Sequence, residues 1–278
     1  MNQNFGHYQI TTMDEIGEKR RLRTIEFWRE LDLSPEYVDS ENQEIAYPFF
    51  SESLNRRMKG IAGCLNTHRE AWKSFLESEY DLALITEDDA IPSVKVGSEI
   101  DKIQRYLSSR SFSTAPTKID AINQFGRPSL IQLGWHLYPK LSFKQFLASV
   151  YHLVKYRGPV TNGYVRGFSF ATHCYLINRE MAIFLLDKLS SEGLPIDFQF
   201  ITFANFHIYS ECDFMRSCQN YATQERLDSS IESAADFVDR KETVISRFLI
   251  WIQSLADAKG TRIAIGSGQE FLHTSNPS

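Results

Sequence analysis

Leu82 to Pro92, LALITEDDAIP, narrows the possible folds more than any other stretch. Four apolar residues, Leu82 to Ile85, run without a charge, and Thr86 then leads into three carboxylates, Glu87, Asp88 and Asp89. A short apolar run bounded by polar residues and a proline predicts a strand buried on both faces. In an open α/β sheet, ligands bind just beyond the carboxyl ends of such strands. The three acids therefore stand where a site is expected.

Two carboxylates ~5 Å apart repel by under ~1 kcal/mol in bulk water, but by roughly 3 kcal/mol at an effective dielectric of about 20. An exposed cluster is harmless, whereas one in a cleft calls for a cation. Hard oxygen donors in a partly open arrangement suit Mg²⁺ or Mn²⁺, which also takes phosphate oxygens from a substrate. By spacing alone a solvated acidic turn fits equally well. The buried strand ahead of the acids favours the cation.

At 278 residues, 42% of them hydrophobic, the chain has material for one large domain or two small ones and for a substantial core. A net charge of -5 leaves no overall basic footprint for nucleic acid. Cys64, Cys174, Cys212 and Cys218 form no Cys-x-x-Cys pair, which argues against zinc. The start, MNQNFGHYQITTMDE, lacks the basic and apolar regions of a signal peptide, and no apolar run reaches the length of a membrane span. The expectation is a cytoplasmic protein with reduced thiols.

Along the chain, Tyr8 to Met13 reads as a first strand, Asp14 to Lys19 as a polar turn, and the residues through Ile25, Phe27, Trp28 and Leu31 as an amphipathic helix. Arg20, Arg21 and Arg23 stand near that turn and fit either a diphosphate or a solvated helix face. Glu36 to Ser53 reads as irregular. Ile61, Leu65, His68, Trp72, Phe75 and Leu76 recur at helical spacing, predicting a helix within Gly60 to Glu79. His68 on that stripe reads as a hydrogen-bonded core residue.

Val94 to Leu107 reads as a helix, Ser108 to Ser129 as a loop, and Leu130 to Leu133 with Gly134 as a buried strand. A basic amphipathic helix over Lys140 to Arg157 fits an anionic membrane surface or packing on the domain. Phe168 to Ile177 predicts a strand, Asn178 to Leu189 a helix, and Val244 to Leu255 a terminal helix before a polar, frayed tail from Gly266. Asp197, alone among apolar neighbours, reads as a general base or as the N-cap of a following helix.

Taken together, the motifs resemble the family-25 glycosyltransferases, the lipopolysaccharide-type galactosyl- and glucosyltransferases, over roughly residues 8 to 232. Tyr8 to Arg21 resembles the family's opening strand, turn and arginine pair. GIAGCLNTHREAW resembles its G-x-x-G-C-x-x-S-H-x-x-x-W helix, with Thr67 for serine, and LALITEDD resembles its acidic strand end. LIQLG, THCYLINREMAIFLL, LPID and YATQERLDSSI resemble its later segments. Thr12 and Glu15 replace a usual Asn and Arg, Phe198 replaces a second acid, and the closing segment lacks its prolines.

The resemblance implies a GT-A-like α/β domain over residues 1–235, with a mostly parallel sheet flanked by helices. Within it residues 108–162 form a variable acceptor-side insertion, and residues 236–278 form a C-terminal helical extension. It implies inverting transfer of a hexose from a nucleotide sugar, a UDP-galactose or UDP-glucose, to a glycan or lipid-linked acceptor. Asp88 and Asp89 are its implied ligands for Mn²⁺ or Mg²⁺. Thr12, Arg20, Arg21, Gly63, His68, Glu87, Asp88, His173 and Gln224 are its implied donor contacts, and Asp197 its implied base. Two other readings stand beside this one. One is a sugar-nucleotide-binding protein with impaired catalysis. The other is a peripheral membrane protein at the inner face of the plasma membrane.

Overall fold

In the computed structural model of the chain, the residues described are 5–39, 52–110, 128–136, 163–168, 170–189, 195–206, 212–224, 262–265 and 269–272. The first strand, β1, spans Phe5–Ile10 and so ends before the Tyr8–Met13 expectation does. Thr11 and Thr12 leave the sheet because their oxygens are bonded elsewhere, to Asp88, Arg21 and Asp14. Helix α1 (Glu15–Arg29) starts at once, so the expected polar turn is its first turn. Asp14 is the N-cap, its Oδ1 accepting from Gly17 N at 2.8 Å. A strand, β2 (Glu36–Val38), then appears where irregular chain was expected, because Val38 is buried and the segment pairs in parallel with β1.

Helix α2 (Glu52–Glu77) carries the expected stripe but begins earlier, and β3 (Leu82–Glu87) follows it. The remaining elements are β4 (Ala90–Pro92), α3 (Val96–Arg110), β5 (Ser129–His136), β6 (Tyr164–Arg166), β7 (Phe170–Asn178) and α4 (Arg179–Lys188). After them come α5 (Ile196–Phe206), β8 (Asp213–Ser217), β9 (Ala222–Gln224), β10 (Arg262–Ile265) and β11 (Gln269–Leu272). The last two form an antiparallel hairpin, whose second strand lies in the tail expected to fray. The Lys140–Arg157 and Val244–Leu255 segments, most of residues 108–162 and the close of YATQERLDSSI lie outside the described residues.

The sheet runs β2-β1-β3-β7-β5-β8-β6, with β4 and β9 paired beside it. Strands β1, β2, β3, β5 and β8 point one way, and β6 and β7 the other. This is the mostly parallel α/β sheet expected for a GT-A-like domain. Strand β3 is buried on both faces, as its apolar run demands. Ala83 and Ile85 join Trp72, Phe75, Tyr175 and Phe200 in one core, while Leu82 and Leu84 join Trp28, Ile100 and Leu176 in the other. Two arginines clamp α2 to α4. Arg179 donates to the carbonyls of Phe75, Ser78 and Tyr80 at the end of α2, and Arg69 to those of Leu186 and Leu189 at the end of α4. Each helix end thereby gains donors for carbonyls that have no partner within the helix.

Candidate active site

Strands β1 and β3 run side by side with Ile10 opposite Glu87, so the first βα loop and the acid turn leave the sheet together. Helix α1 grips that turn. Thr24 Oγ1 donates to Asp88 O at 2.9 Å, and Trp28 Nε1 donates to Ala90 O at 3.1 Å. The Asp88 carboxylate accepts from Thr11 Oγ1 at 2.9 Å and lies 3.6 Å from Arg20 Nη1. Burial pushes its pKa up to about 6, although Arg20 and Thr11 pull the other way. Arg21 donates to Thr11 Oγ1 and to Thr12 O, both at 2.8 Å, and lies over the Tyr37 ring. Gly17 is required here, because a Cβ on it would stand 1.9 Å from Thr12 O.

Glu87 faces the other core. Its Oε1 accepts from Thr172 Oγ1 at 2.7 Å and lies 3.9 Å from His68 Nε2. Burial alone raises this carboxyl, but His68, His173 and Thr172 together hold it below the ordinary carboxylate range. Burial lowers both histidines, while Glu87 pulls each of them the other way. His68 Nδ1 is 2.8 Å from Tyr175 Oη, which accepts from Trp72 Nε1 at 3.0 Å. His173 Nε2 donates to Ala222 O at 2.9 Å. The ring fills the place of a Gly134 side chain: a Cβ there would meet His173 Nε2 at 2.2 Å. The β5–β7 register shifts around that glycine.

Cys64 reports where the acids gather. Burial raises its thiol first, and Glu87, Asp197, Asp89 and Asp88 each raise it further. The turn from β3 and the acid from α5 therefore act on one point on α2. Asp88, Asp89 and Asp197 are all buried, with at most 8% of Asp197 exposed. Asp197 is not an N-cap, since α5 already begins at Ile196 and places it inside the first turn. A dication would neutralise this collected negative field, and carboxylate oxygens are the donors that Mg²⁺ or Mn²⁺ prefers.

Of the residues expected from the sequence, Arg20 lies against Asp88 and His68 near Glu87, while His173 acts electrostatically on Glu87, and Asp89 and Asp197 on Cys64. Gly63 adjoins Cys64 on α2, where its carbonyl accepts from Thr67 Oγ1 at 2.8 Å. Thr12 and Arg21 lie on the outer side of the β1–α1 loop. Gln224 is brought in by backbone pairing, opposite Ala90. The sequence reading missed Thr11, Thr24, Thr172 and Tyr175, whose partners are distant in the chain. Thr172, next to His173, was the one with a signal close by.

An α/β sheet that sets buried acids and an arginine-bearing helix at the ends of adjacent parallel strands has a ligand site where such sheets carry one. The pattern of glycosyltransferase family 25, the LPS biosynthesis family, matches residues 16–200, and the chain belongs to that family. It is a glycosyltransferase. No curated protein sequence matches it. Similar solved structures include A197 from STIV, at 15% identity over 76% of this chain and 80% of that one, with a TM-score of 0.36. Another is a glycosyltransferase involved in glycosylation of the major capsid of PBCV-1, at 8% identity over 84% of this chain and 98% of that one, with a TM-score of 0.34. Such scores add nothing to the family assignment. Among the described residues, no helix is long and apolar enough to cross a membrane.

Proposed function

We propose that this glycosyltransferase moves a hexose, galactose or glucose, from a UDP-sugar to a glycan or glycolipid acceptor with inversion. The observation that carries the reading is the bond from Thr11 to Asp88, with Arg20 beside it, at the ends of β1 and β3. A divalent cation, Mn²⁺ or Mg²⁺, held by Asp89 with Asp88 beside it, would supply Lewis-acid stabilisation of the departing diphosphate. Arg20 and Arg21 add positive charge on the α1 side of the same turn. Glu87 and Gln224 flank the donor, while His68 and His173 orient it rather than transfer protons.

Asp197 accepts the proton of the acceptor hydroxyl as its oxygen attacks the anomeric carbon. The bond from that carbon to diphosphate oxygen breaks, a glycosidic bond forms, and the proton ends on the Asp197 carboxylate. Its burial in the first turn of α5 supports that role.

The test is a panel of nucleotide sugars with Mn²⁺ or Mg²⁺, measuring free nucleotide. One donor is expected to be turned over, and Asp89→Asn to lower that rate by about 100-fold or more with an unchanged melting temperature. Folded protein that releases nucleotide from no donor overturns the reading.

A further inference from the structure

We propose that Cys64, His68 and Glu87 form a binding site for a thiophilic divalent ion of the zinc class. Its donor chemistry separates it from a hard-oxygen site at Asp89. One donor atom from each of the three residues lies within 4.8 Å of the other two. Cys64 and His68 stand one turn apart on the same face of α2, a spacing that suits chelation by a helix. Glu87 reaches the same point from the end of β3.

The observation pointing to a ligand is His68 Nε2. The residue is fully buried, and this nitrogen has no hydrogen-bond partner. It is aimed toward Glu87 Oε1 at 3.9 Å, too far for a bond. Nδ1 on the opposite side is held by the Tyr175 hydroxyl. A hydroxyl can serve either tautomer, so the ring proton can sit on Nδ1 and leave the Nε2 lone pair for a metal.

One sulfur, one imidazole nitrogen and one carboxylate oxygen form a mixed donor set that suits Zn²⁺ or Co²⁺ and not Mg²⁺. Bonds of ~2.0–2.3 Å put tetrahedral ligands roughly 3.3–3.8 Å apart, so the trio must close by about 1 Å. On binding, the Cys64 S–H bond breaks, the proton leaves to solvent and the thiolate bonds the metal. Spacing of cysteines alone argued against zinc, because the third donor comes from another element.

The test uses Co²⁺ and the full chain with no nucleotide sugar. A sulfur-to-cobalt charge-transfer band in the near ultraviolet is expected to saturate at one equivalent. Cys64→Ser abolishes it, His68→Gln weakens binding by roughly tenfold or more, and Cys218→Ser leaves it unchanged. In wild-type protein, Zn²⁺ protects Cys64 from alkylation, mapped by mass spectrometry. No band with folded protein, a band that persists in Cys64→Ser, or Cys64 alkylated equally fast with and without Zn²⁺ overturns the site. None of these readouts depends on glycosyl transfer, so failure of one reading leaves the other standing.

Discussion

Thr11 Oγ1 donates to Asp88 Oδ2 at 2.9 Å and accepts from Arg21 Nη1 at 2.8 Å, so one hydroxyl joins a guanidinium to the acid turn. Thr11→Val keeps the shape and removes both bonds. It leaves a buried carboxylate oxygen short of a donor, which costs about 1–3 kcal/mol in urea unfolding. Thr11→Ser is expected to recover most of that stability. An unchanged midpoint in the valine variant would show that the link carries no weight.

Gly17→Ala sets a methyl 1.9 Å from the Thr12 carbonyl, a backbone atom that cannot rotate away. The β1–α1 loop must move, and Arg20 on the same helix moves with it. The expected outcome is a loss of about 1–3 kcal/mol of stability, with donor affinity lowered by roughly tenfold at equal folded fraction. Calorimetric titration with the donor nucleotide reads the second effect.

Gly134→Ala drives a methyl into the His173 ring, which is fully buried and bonded to Ala222 O. Displacing the ring breaks that bond and pushes β5 from β7. The combined cost is about 2–4 kcal/mol. Gly134→Ala with His173→Ala in the same chain should lose less than the two single changes added together.

Stability should fall as pH drops below 6.5, and His7 is one cause. Its ring is buried, packs on Trp28 and meets Thr86 Oγ1 at 2.9 Å, and burial lowers its pKa to about 3. The unfolded chain binds a proton near 6.5 and the folded chain does not until about 3. Stability is thus intact above pH 6.5 and lost through that window, at about 1.4 kcal/mol per pH unit from this group. Urea unfolding at pH 7.5, 5.5 and 4.5 measures the slope, and His7→Gln should flatten it.

Arg179→Ala removes donors from the carbonyls of Phe75, Ser78 and Tyr80 and a cation from the face of the Phe75 ring. The end of α2 should fray, at a cost of about 1–3 kcal/mol. Arg179→Lys recovers only part, because an ammonium cannot fork across several carbonyls. Faster amide exchange over the last turn of α2 would locate the loss.

Much of this was legible in the chain. An uncharged run ending in three acids marked β3, because a strand buried on both faces needs apolar residues on both. The stripe through Leu65, His68, Trp72 and Phe75 marked α2 for the same reason. Boundaries went wrong at β1, where Thr11 answers to Asp88 across the sheet, and at α1, where Asp14 caps the helix and starts it inside the expected turn. Strand β2 was missed, because a short edge strand burying one apolar residue has no period to detect. The N-cap reading of Asp197 failed because Pro195 and Ile196 set the start of α5.

Local order along one strand or helix determined which residue types carry chemistry, since periodicity and turn chemistry act over a few residues. The partners of those residues were a matter of tertiary structure. Thr11 met Asp88, Thr172 met Glu87 and Tyr175 met His68 only when strands and a helix far apart in sequence were packed together. Hydrogen bonds and charge effects depend on distance in space, and the order of residues carries that distance only after the sheet has formed.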